Sequence, residues 1–369
     1  MSVNYKKLGD YITQRREKNT AINLPICGVC REGLIPPKQQ DADISLYNVF
    51  YKNDFIFNPA RMELNSITLN TEYDKAICSS LYEIFYINDT SKLLPEFLFV
   101  QLKTDNFVRF CEFQGQGSVR EYCRFANISE YPVIVPDLKE QEKIVNTYNA
   151  ITKRIHLKQK INENLEKTAQ TIYKKLFVEN ADKNWKKCEL GEIVEIKRGG
   201  SPRPISDYMS NDGYRWLKIS DATSSNSPFI FKTEEFIKKE GLKNTVYLKS
   251  GSLVLSNSAT PGLPKILKVD TCIHDGWLYF PKSFFSNEYL YLLFQSIRDE
   301  LRSLGNGSIF TNLKTDILKE YKILNPDKEK LNEFQRIINP IFKQLFNTSK
   351  EIEKLELFKQ SVISRISGM

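Results

Sequence analysis

Residues 139–177 read KEQEKIVNTYNAITKRIHLKQKINENLEKTAQTIYKKLF, with no Pro and no Gly. Apolar side chains return at Ile144, Tyr148, Ile151, Ile155, Leu165, Ala169, Ile172 and Leu176, a heptad stripe interrupted by Lys158 and Asn162. That spacing gathers them on one side of an α-helix, so the stretch is predicted to be one long helix with a wet face and a dry seam. At about 1.5 Å per residue it would run for roughly 58 Å. A dry seam needs a partner, and the chain carries one at its other end. Ile338, Ile341, Leu345, Ile352, Leu355, Val362 and Ile366 repeat the stripe, with Thr348 and Lys359 as polar breaks. Pro340 lies near the expected start of this second helix and predicts that a clean helix begins or kinks there.

What precedes each helix is duplicated. Leu8-Gly9, in YKKLG, corresponds to Leu190-Gly191, in WKKCELG, at an offset of 182. GSVREYCRFANISEYPVIVPD (117–137) aligns with GSIFTNLKTDILKEYKILNPD (307–327) at an offset of 190, with Gly117/Gly307, Ser118/Ser308, Glu130/Glu320, Tyr131/Tyr321, Pro136/Pro326 and Asp137/Asp327 identical. The period is too long for a solenoid and reads as a tandem copy of one domain plus one helix. In the first head, Leu24, Ile26 and Val29 precede the turn signal Arg31-Glu32-Gly33. Val49–Tyr51 and Phe55–Phe57 bracket Lys52-Asn53-Asp54 as a hairpin-like turn. Residues 76–78 and 82–87 are further strand candidates, and 95–113 suits a helix. In the second head, 192–196 and 252–255 read as strands and Glu288–Ser303 as a helix. The predicted class is α+β: two mixed α/β heads separated by two long antiparallel helices forming a coiled coil, with a pseudo-twofold internal repeat. The polar stretch VENADKN (178–184) links the copies.

At 369 residues there is room for two or three domains, each with its own core. No apolar run approaches the roughly 18 residues of a membrane span, and MSVNYKKLGD has no signal-peptide core, so the expected location is cytoplasmic with no membrane partner. Seven scattered Cys point to reduced thiols. The net charge of +8 is compatible with a polyanion. With His156 and His274 as the only histidines, His-rich metal sites and most His-based acid–base schemes are disfavoured.

The layout resembles the specificity subunit of type I restriction-modification systems, in which two target-recognition domains alternate with two helical spacers. The junction Pro136-Asp137-Leu138-Lys139-Glu140-Gln141-Glu142-Lys143-Ile144 is similar to that family's P-L-x-E-Q-x-x-I lead into the spacer helix. GVCREGLIPP (28–37), NDFIFNPARMELNSI (53–67) and AICSSLYEIF (76–85) look like one recognition-domain type. WLKISDATS (216–224), LKSGSLVLSNSATPGLPKI (248–266) and GSIFTNLKTDILKEYKI (307–323) look like another. The second junction, PDKEKLNEFQRII, departs from the pattern by lacking Glu-Gln in register, which bears on whether it docks partners as the first does. The resemblance covers essentially the whole chain and implies recognition domains at 1–136 and 181–326, with spacer helices at 137–180 and 327–369.

Motifs for catalysis are missing from the sequence. Asn339-Pro340-Ile341-Phe342 is one residue away from the [N/D]-P-P-[F/Y] loop that clamps a flipped base in amino-methyltransferases, but it falls within the heptad pattern; Asn58-Pro59-Ala60-Arg61 is a poorer match. There is no G-x-x-x-x-G-K-[S/T] phosphate loop, Gly199-Gly200 is an isolated pair, and no nuclease carboxylate cluster stands out. Cys27-Gly28-Val29-Cys30 is a C-x-x-C without the second pair a structural zinc needs, so no metal site is expected.

The candidate DNA-binding residues sit on loops. In QGQGSVREYCR (114–124) they are Gln116, Ser118, Arg120, Tyr122 and Arg124; in GNGSIFTNLK (305–314) they are Asn306, Ser308, Thr311, Asn312 and Lys314. Gly allows close backbone approach, while Arg, Asn and Ser supply hydrogen bonds to base edges and phosphates. Lys197, Arg198, Ser201 and Arg203 surround a Gly pair in a way that suits phosphate contact; the competing reading is a solvated turn. Lys38, Gln39 and Arg61 are comparable in the first head, and Ser256, Ser258 and Thr260 are weaker candidates beside Pro261-Gly262.

These features read as a non-catalytic subunit that binds double-stranded DNA and reads a bipartite, asymmetric target. The resemblance implies partner modification subunits that bring S-adenosylmethionine and methylate adenine, and partner restriction subunits that bring ATP, Mg and cleavage; this chain is expected to hold no cofactor. Alternatives are the recognition subunit of a two-site type II system, a coiled-coil protein scaffold, and a stand-alone enzyme.

Overall fold

The computed structural model describes residues 5–21, 23–31, 33–37, 43–115, 122–305 and 312–368, leaving aside the side chains of 304, 305, 367 and 368. It divides into two compact units, Met1–Ile155 with Leu355–Met369, and His156–Lys354. Two long helices run through this division: a first stem, Leu138–Lys174, continued by a π-helical turn Lys175–Glu179, and a second stem, Lys328–Gly368.

The expected seams are present in both units. In the first, Ile144 and Val145 share a core with Ile366, and Lys359 Nζ lies 5.8 Å over the Tyr148 ring. In the second, Lys158 Nζ pairs with Glu351 Oε2 at 2.5 Å, Asn162 Nδ2 donates to Ser349 Oγ at 3.0 Å, and Phe177 meets Phe334 edge-on at 5.1 Å. As the first stem advances, its partner positions fall, so the pairing within each unit is antiparallel. The predicted polar breaks Lys158, Asn162 and Lys359 all make these cross-stem contacts. Pro340 does not start the second stem: the helix begins twelve positions earlier, at Lys328, and carries Pro340 inside it on an exposed face. A proline there forfeits one backbone hydrogen bond, but on the wet face water can serve the freed carbonyl. Phe342, from the near-miss clamp motif, is buried in the second unit's core.

The first head contains two four-stranded sheets. One orders Ile12–Arg15, Glu83–Ile87, Phe55–Phe57 and Ile67–Leu69; the other orders Gly33–Ile35, Ile26–Cys30, Lys75–Cys78 and Asn48–Tyr51. The expected hairpin at Lys52–Asp54 is instead a crossing between these sheets: Asn48–Tyr51 pairs with Lys75–Cys78, while Phe55–Phe57 pairs with Ile67–Leu69 and Glu83–Ile87. Asp54 anchors the crossing by accepting from Arg15 Nε at 2.6 Å and from the Tyr51 amide at 2.7 Å. The predicted helix at 95–113 is two helices, Pro95–Leu102 and Asp105–Gly115. Thr104 divides them, its hydroxyl donating to Gln101 O at 2.8 Å and accepting from the Phe107 amide at 3.2 Å.

The second head has two five-stranded sheets. Val194–Arg198, Trp277–Ser283, Leu253–Ser256, Pro264–Leu267 and Phe229–Ile230 form one; Met209–Ser210, Glu235–Ile237, Tyr214–Leu217, Thr271–Ile273 and Val246–Leu248 form the other. The expected strand at 192–196 is a helical turn, Leu190–Ile193, before the strand at Val194–Arg198. The predicted helix 288–303 is again two, Asn287–Ser296 and Arg298–Gly305.

The duplication persists in hydrogen bonds. Lys6–Lys7 pairs with Pro132–Val133 as Lys187–Glu189 pairs with Lys322–Leu324. The Leu8 amide donates to Tyr131 O at 2.9 Å and the Leu190 amide to Tyr321 O at 3.0 Å. A Cβ on Gly9 would lie 3.1 Å from Ser129, and one on Gly191 3.0 Å from Lys319, so the repeated Leu-Gly marks a close approach made in both copies. Asp137 caps the first stem by accepting from the Glu140 amide at 3.0 Å; Asp327 accepts from the Lys330 amide at 2.8 Å.

Candidate nucleic-acid interface

The basic edge of the second head is built on close backbone approaches. The strand Val194–Arg198 runs into Gly199-Gly200, whose amides donate to Trp277 O at 2.8 Å and Ile273 O at 3.3 Å. A Cβ on Gly199 would stand 2.3 Å from His274 O, so only glycine lets the two segments meet. The turn 274–276 is thereby held under the basic segment, with Asp275 at its centre. Its carboxylate accepts from Ser201 Oγ at 2.7 Å and Arg203 Nη2 at 3.4 Å, and lies 3.6 Å from Arg198 Nη2; its carbonyl accepts from Arg198 Nε at 2.5 Å. Burial pushes the Asp275 carboxyl up, but the Ser201 hydroxyl and the two guanidiniums outweigh it and hold the group below its usual value. Arg198 and Arg203 remain 53% and 73% exposed, so their charges face water and are free to exchange partners. Lys197, also exposed, pairs with Glu195 at 2.8 Å.

His274 joins this cluster without having been expected there. Its Nδ1 accepts from the Gly276 amide at 2.8 Å, which leaves the proton of the neutral imidazole on Nε2. Burial lowers its pKa, and the Trp216 and Trp277 rings flank it at 5.9 and 6.4 Å. The signal in the sequence was the Asp275-Gly276 turn following an apolar strand.

The turn 256–260 reaches the same edge. Asn257 Nδ2 donates to Asp275 O at 3.2 Å, and Asn257 O accepts from the Leu313 amide at 2.8 Å. That bond places exposed Asn312 and Lys314 next to the turn. Ser258 and Thr260 are partly exposed. Ser256 differs: it has no exposed surface, and its hydroxyl donates to Thr260 O at 2.5 Å and accepts from the Leu263 amide at 3.0 Å. It shapes the turn and does not present a group to a ligand.

In the first head the Cys123 amide donates to Pro59 O at 3.0 Å, the counterpart of the Leu313–Asn257 bond. This sets Tyr122 and Arg124 near exposed Arg61. The Arg124 guanidinium lies 5.2 Å over the Tyr122 ring and 3.3 Å from Glu83 Oε1; Glu83 Oε2 accepts from the Phe125 amide at 2.7 Å. Lys38, Gln39, Gln116, Ser118, Arg120, Asn306, Ser308 and Thr311 lie outside the described residues. Cys27 and Cys30 lie on the strand Ile26–Cys30, and among the described residues no group of His, Cys, Asp and Glu is arranged to hold a metal. Nor is any described helix long and apolar enough to cross a membrane.

Two copies of one α/β head, each leading into a stem and each presenting a cation-bearing loop edge, are the architecture of a known class. The model of the type I restriction modification DNA specificity domain matches residues 35–167 and again 182–359, and the chain belongs to that family. It is 20% identical over 302 residues to the type I restriction enzyme MjaIX specificity subunit of Methanocaldococcus jannaschii, covering 74% of this chain and 68% of that one. It is 22% identical over 378 residues to the HindI specificity subunit of Haemophilus influenzae, covering 81% and 82%. The crystal structure of a type I S subunit from M. genitalium shares the fold, with a TM-score of 0.60 at 13% identity over 98% of this chain and 95% of that one.

Proposed function

We propose that this chain reads double-stranded DNA as a non-catalytic subunit, each head taking one half of a bipartite target. The observation that carries this reading is the equivalent loop edge in the two heads. In both, one amide pins a segment to the turn just past a sheet strand, Cys123 to Pro59 and Leu313 to Asn257. The side chains beside those pins differ: Arg61, Tyr122 and Arg124 in one head, Arg198, Ser201, Arg203, Asn312 and Lys314 in the other. Unlike readers on like scaffolds imply unlike half-sites. The stems would set the gap between them, and half-sites read from one face of B-DNA are spaced by about 34 Å or a multiple.

Adenine methylation with S-adenosylmethionine would come from modification subunits, and ATP- and Mg-dependent cleavage from restriction subunits, with this chain directing both. Gln141 refines the docking question. It is fully buried, accepting from the Leu94 amide at 2.9 Å and donating to Lys92 O and Pro136 O at 2.8 Å each. Its counterpart at the second junction, Leu331, packs on the second unit's core. The departure at the second junction thus replaces an internal strap with an apolar contact and removes no surface group at that position. Mapping methylated adenines in cells carrying the full system tests the reading: two different half-sites at a fixed gap are expected, and loss of this chain should abolish them. A pattern unchanged by its loss would refute the proposal.

A further inference from the structure

A cleft of about 530 Å³ lies within the second unit, lined by none of the residues proposed for the basic edge. The first stem forms one wall, with Glu163, Glu166, Lys167 and Gln170. The opposite wall carries Lys265 on the strand Pro264–Leu267, and Tyr291, Gln295 and Arg298 on the paired helices.

Its cations are held in an arrangement that leaves donors unspent. Lys265 is 4% exposed and places two of its three ammonium donors on Ser225 O and Ser227 O, at 2.9 and 2.5 Å. Arg298 keeps a buried Nε with no hydrogen-bond acceptor. The two positive charges disfavour one another, since Arg298 lowers the pKa of Lys265 beyond what burial alone does. Of the two carboxylates on the stem wall, Glu163 is exposed to water, while Glu166 accepts from Tyr291 Oη at 3.3 Å, and Tyr291 in turn accepts from Gln295 Nε2 at 3.1 Å. Burial raises the Glu166 carboxyl to about 7, so near neutrality it is charged only part of the time. A buried ammonium, a half-exposed guanidinium with one orphaned donor and a carboxylate charged only in part leave the cleft short of negative charge.

We propose that this cleft binds a phosphate-class oxyanion between the Arg298 guanidinium and the Lys265 ammonium, with the amides of Gln170 and Asn226 on its rim. The inference rests on the side chains of this unit and not on the family reading. The anion has two possible sources, a soluble phosphate or a DNA backbone phosphate. The titratable and charged groups facing it are Glu163, Glu166 and Lys167 on the stem, Lys265 on the sheet, and Tyr291 and Arg298, with Asp299 and Arg302 beside the last. Glu166 gains charge and Lys265, lowered to about 8 by burial, loses it as pH rises, so anion affinity should fall between pH 6 and 9.

The test is calorimetric titration of the full chain with inorganic phosphate, and with sulfate as a dianion whose charge is constant over that range. Wild type should bind both; R298Q should weaken binding at least tenfold, and exposed-rim K167E severalfold, while K343Q, at an exposed lysine that does not line the cleft, stays within twofold. K167E keeps the question decidable if R298Q does not fold. A duplex-binding arm separates the sources. If phosphate competes with DNA and R298Q lowers duplex affinity, the ligand is backbone phosphate; if R298Q loses phosphate but keeps duplex affinity, it is a soluble anion. No phosphate or sulfate binding by wild type, or unaltered binding by both R298Q and K167E, overturns the proposal.

Discussion

A guanidinium paired with a half-exposed carboxylate, as Arg203 is with Asp275, gives up little on leaving it, because solvent screens the pair. Replacing Arg203 with Ala should therefore leave stability within about 0.5 kcal/mol. On DNA the same change is expected to remove one phosphate contact. The slope of log affinity against log salt, measured by gel shift with the partner subunits present, should become shallower by about 0.9. An unchanged slope would remove Arg203 from the interface. Glu166 makes a different prediction. Its folded-state pKa, about 7, is raised above the ordinary carboxyl value, so the folded chain favours the protonated form. The stability this contributes is complete below the unfolded pKa and lost as pH rises through 7. E166Q keeps the neutral form at every pH. It should be near wild type at pH 5 and more stable at pH 8, by on the order of 1–3 kcal/mol in denaturant titrations. At this scale the sequence displayed residue types but not their surroundings. The Ser256 hydroxyl looked as available as that of Ser258, and only the turn that encloses it shows that it is taken. His274 and Asp275 were passed over because their importance comes from the Gly199 approach, a contact across some seventy-five positions.

The stems were the most legible elements, since a helix writes its packing into local spacing. Each predicted apolar seam position from Ile144 to Leu176 is buried or half-buried. Boundaries were less legible. Pro340 misled because its effect depends on which face it occupies, and the one-helix reading of 95–113 missed that Thr104 caps a second helix. The turn at Lys52–Asp54 has hairpin composition, but strand pairing is decided by distant partners that local composition does not encode. The polar breaks in the stems carry their own prediction. Asn162 Nδ2 donates to Ser349 Oγ, and Ser349 Oγ lies 3.2 Å from Ser227 Oγ, so one hydroxyl ties both stems to the second head. S349A leaves the Asn162 amide and the Ser227 hydroxyl without that partner and should cost about 1–3 kcal/mol. The double variant N162L/S349A should recover part of the loss, because an apolar pair leaves less polarity buried unmet. Thermal unfolding of the single and double variants checks this; a double variant worse than the sum of its parts would contradict it.

At the scale of the molecule, the duplicated halves are not closed in the same way. The second unit is one continuous stretch, His156–Lys354, whereas the first needs Leu355–Met369 from beyond the second unit in sequence. Ile366 is buried in the first unit's core, with Ile363 packed against it. Ending the chain after Lys354 would uncover Ile144, Val145 and Tyr148. Hydrogen exchange should then quicken through the first unit while the second keeps most of its protection; uniform protection in both would show that the tail is dispensable. The order of synthesis gives this arrangement a further meaning. Emerging from the ribosome, the earlier half must wait, unfinished, until the later half has been made, and it is sealed only when residues 355–369 follow. A message cut short before residues 355–369 yields a chain whose leading half stays open to proteases, so making that segment doubles as an inspection that only copies carrying it pass.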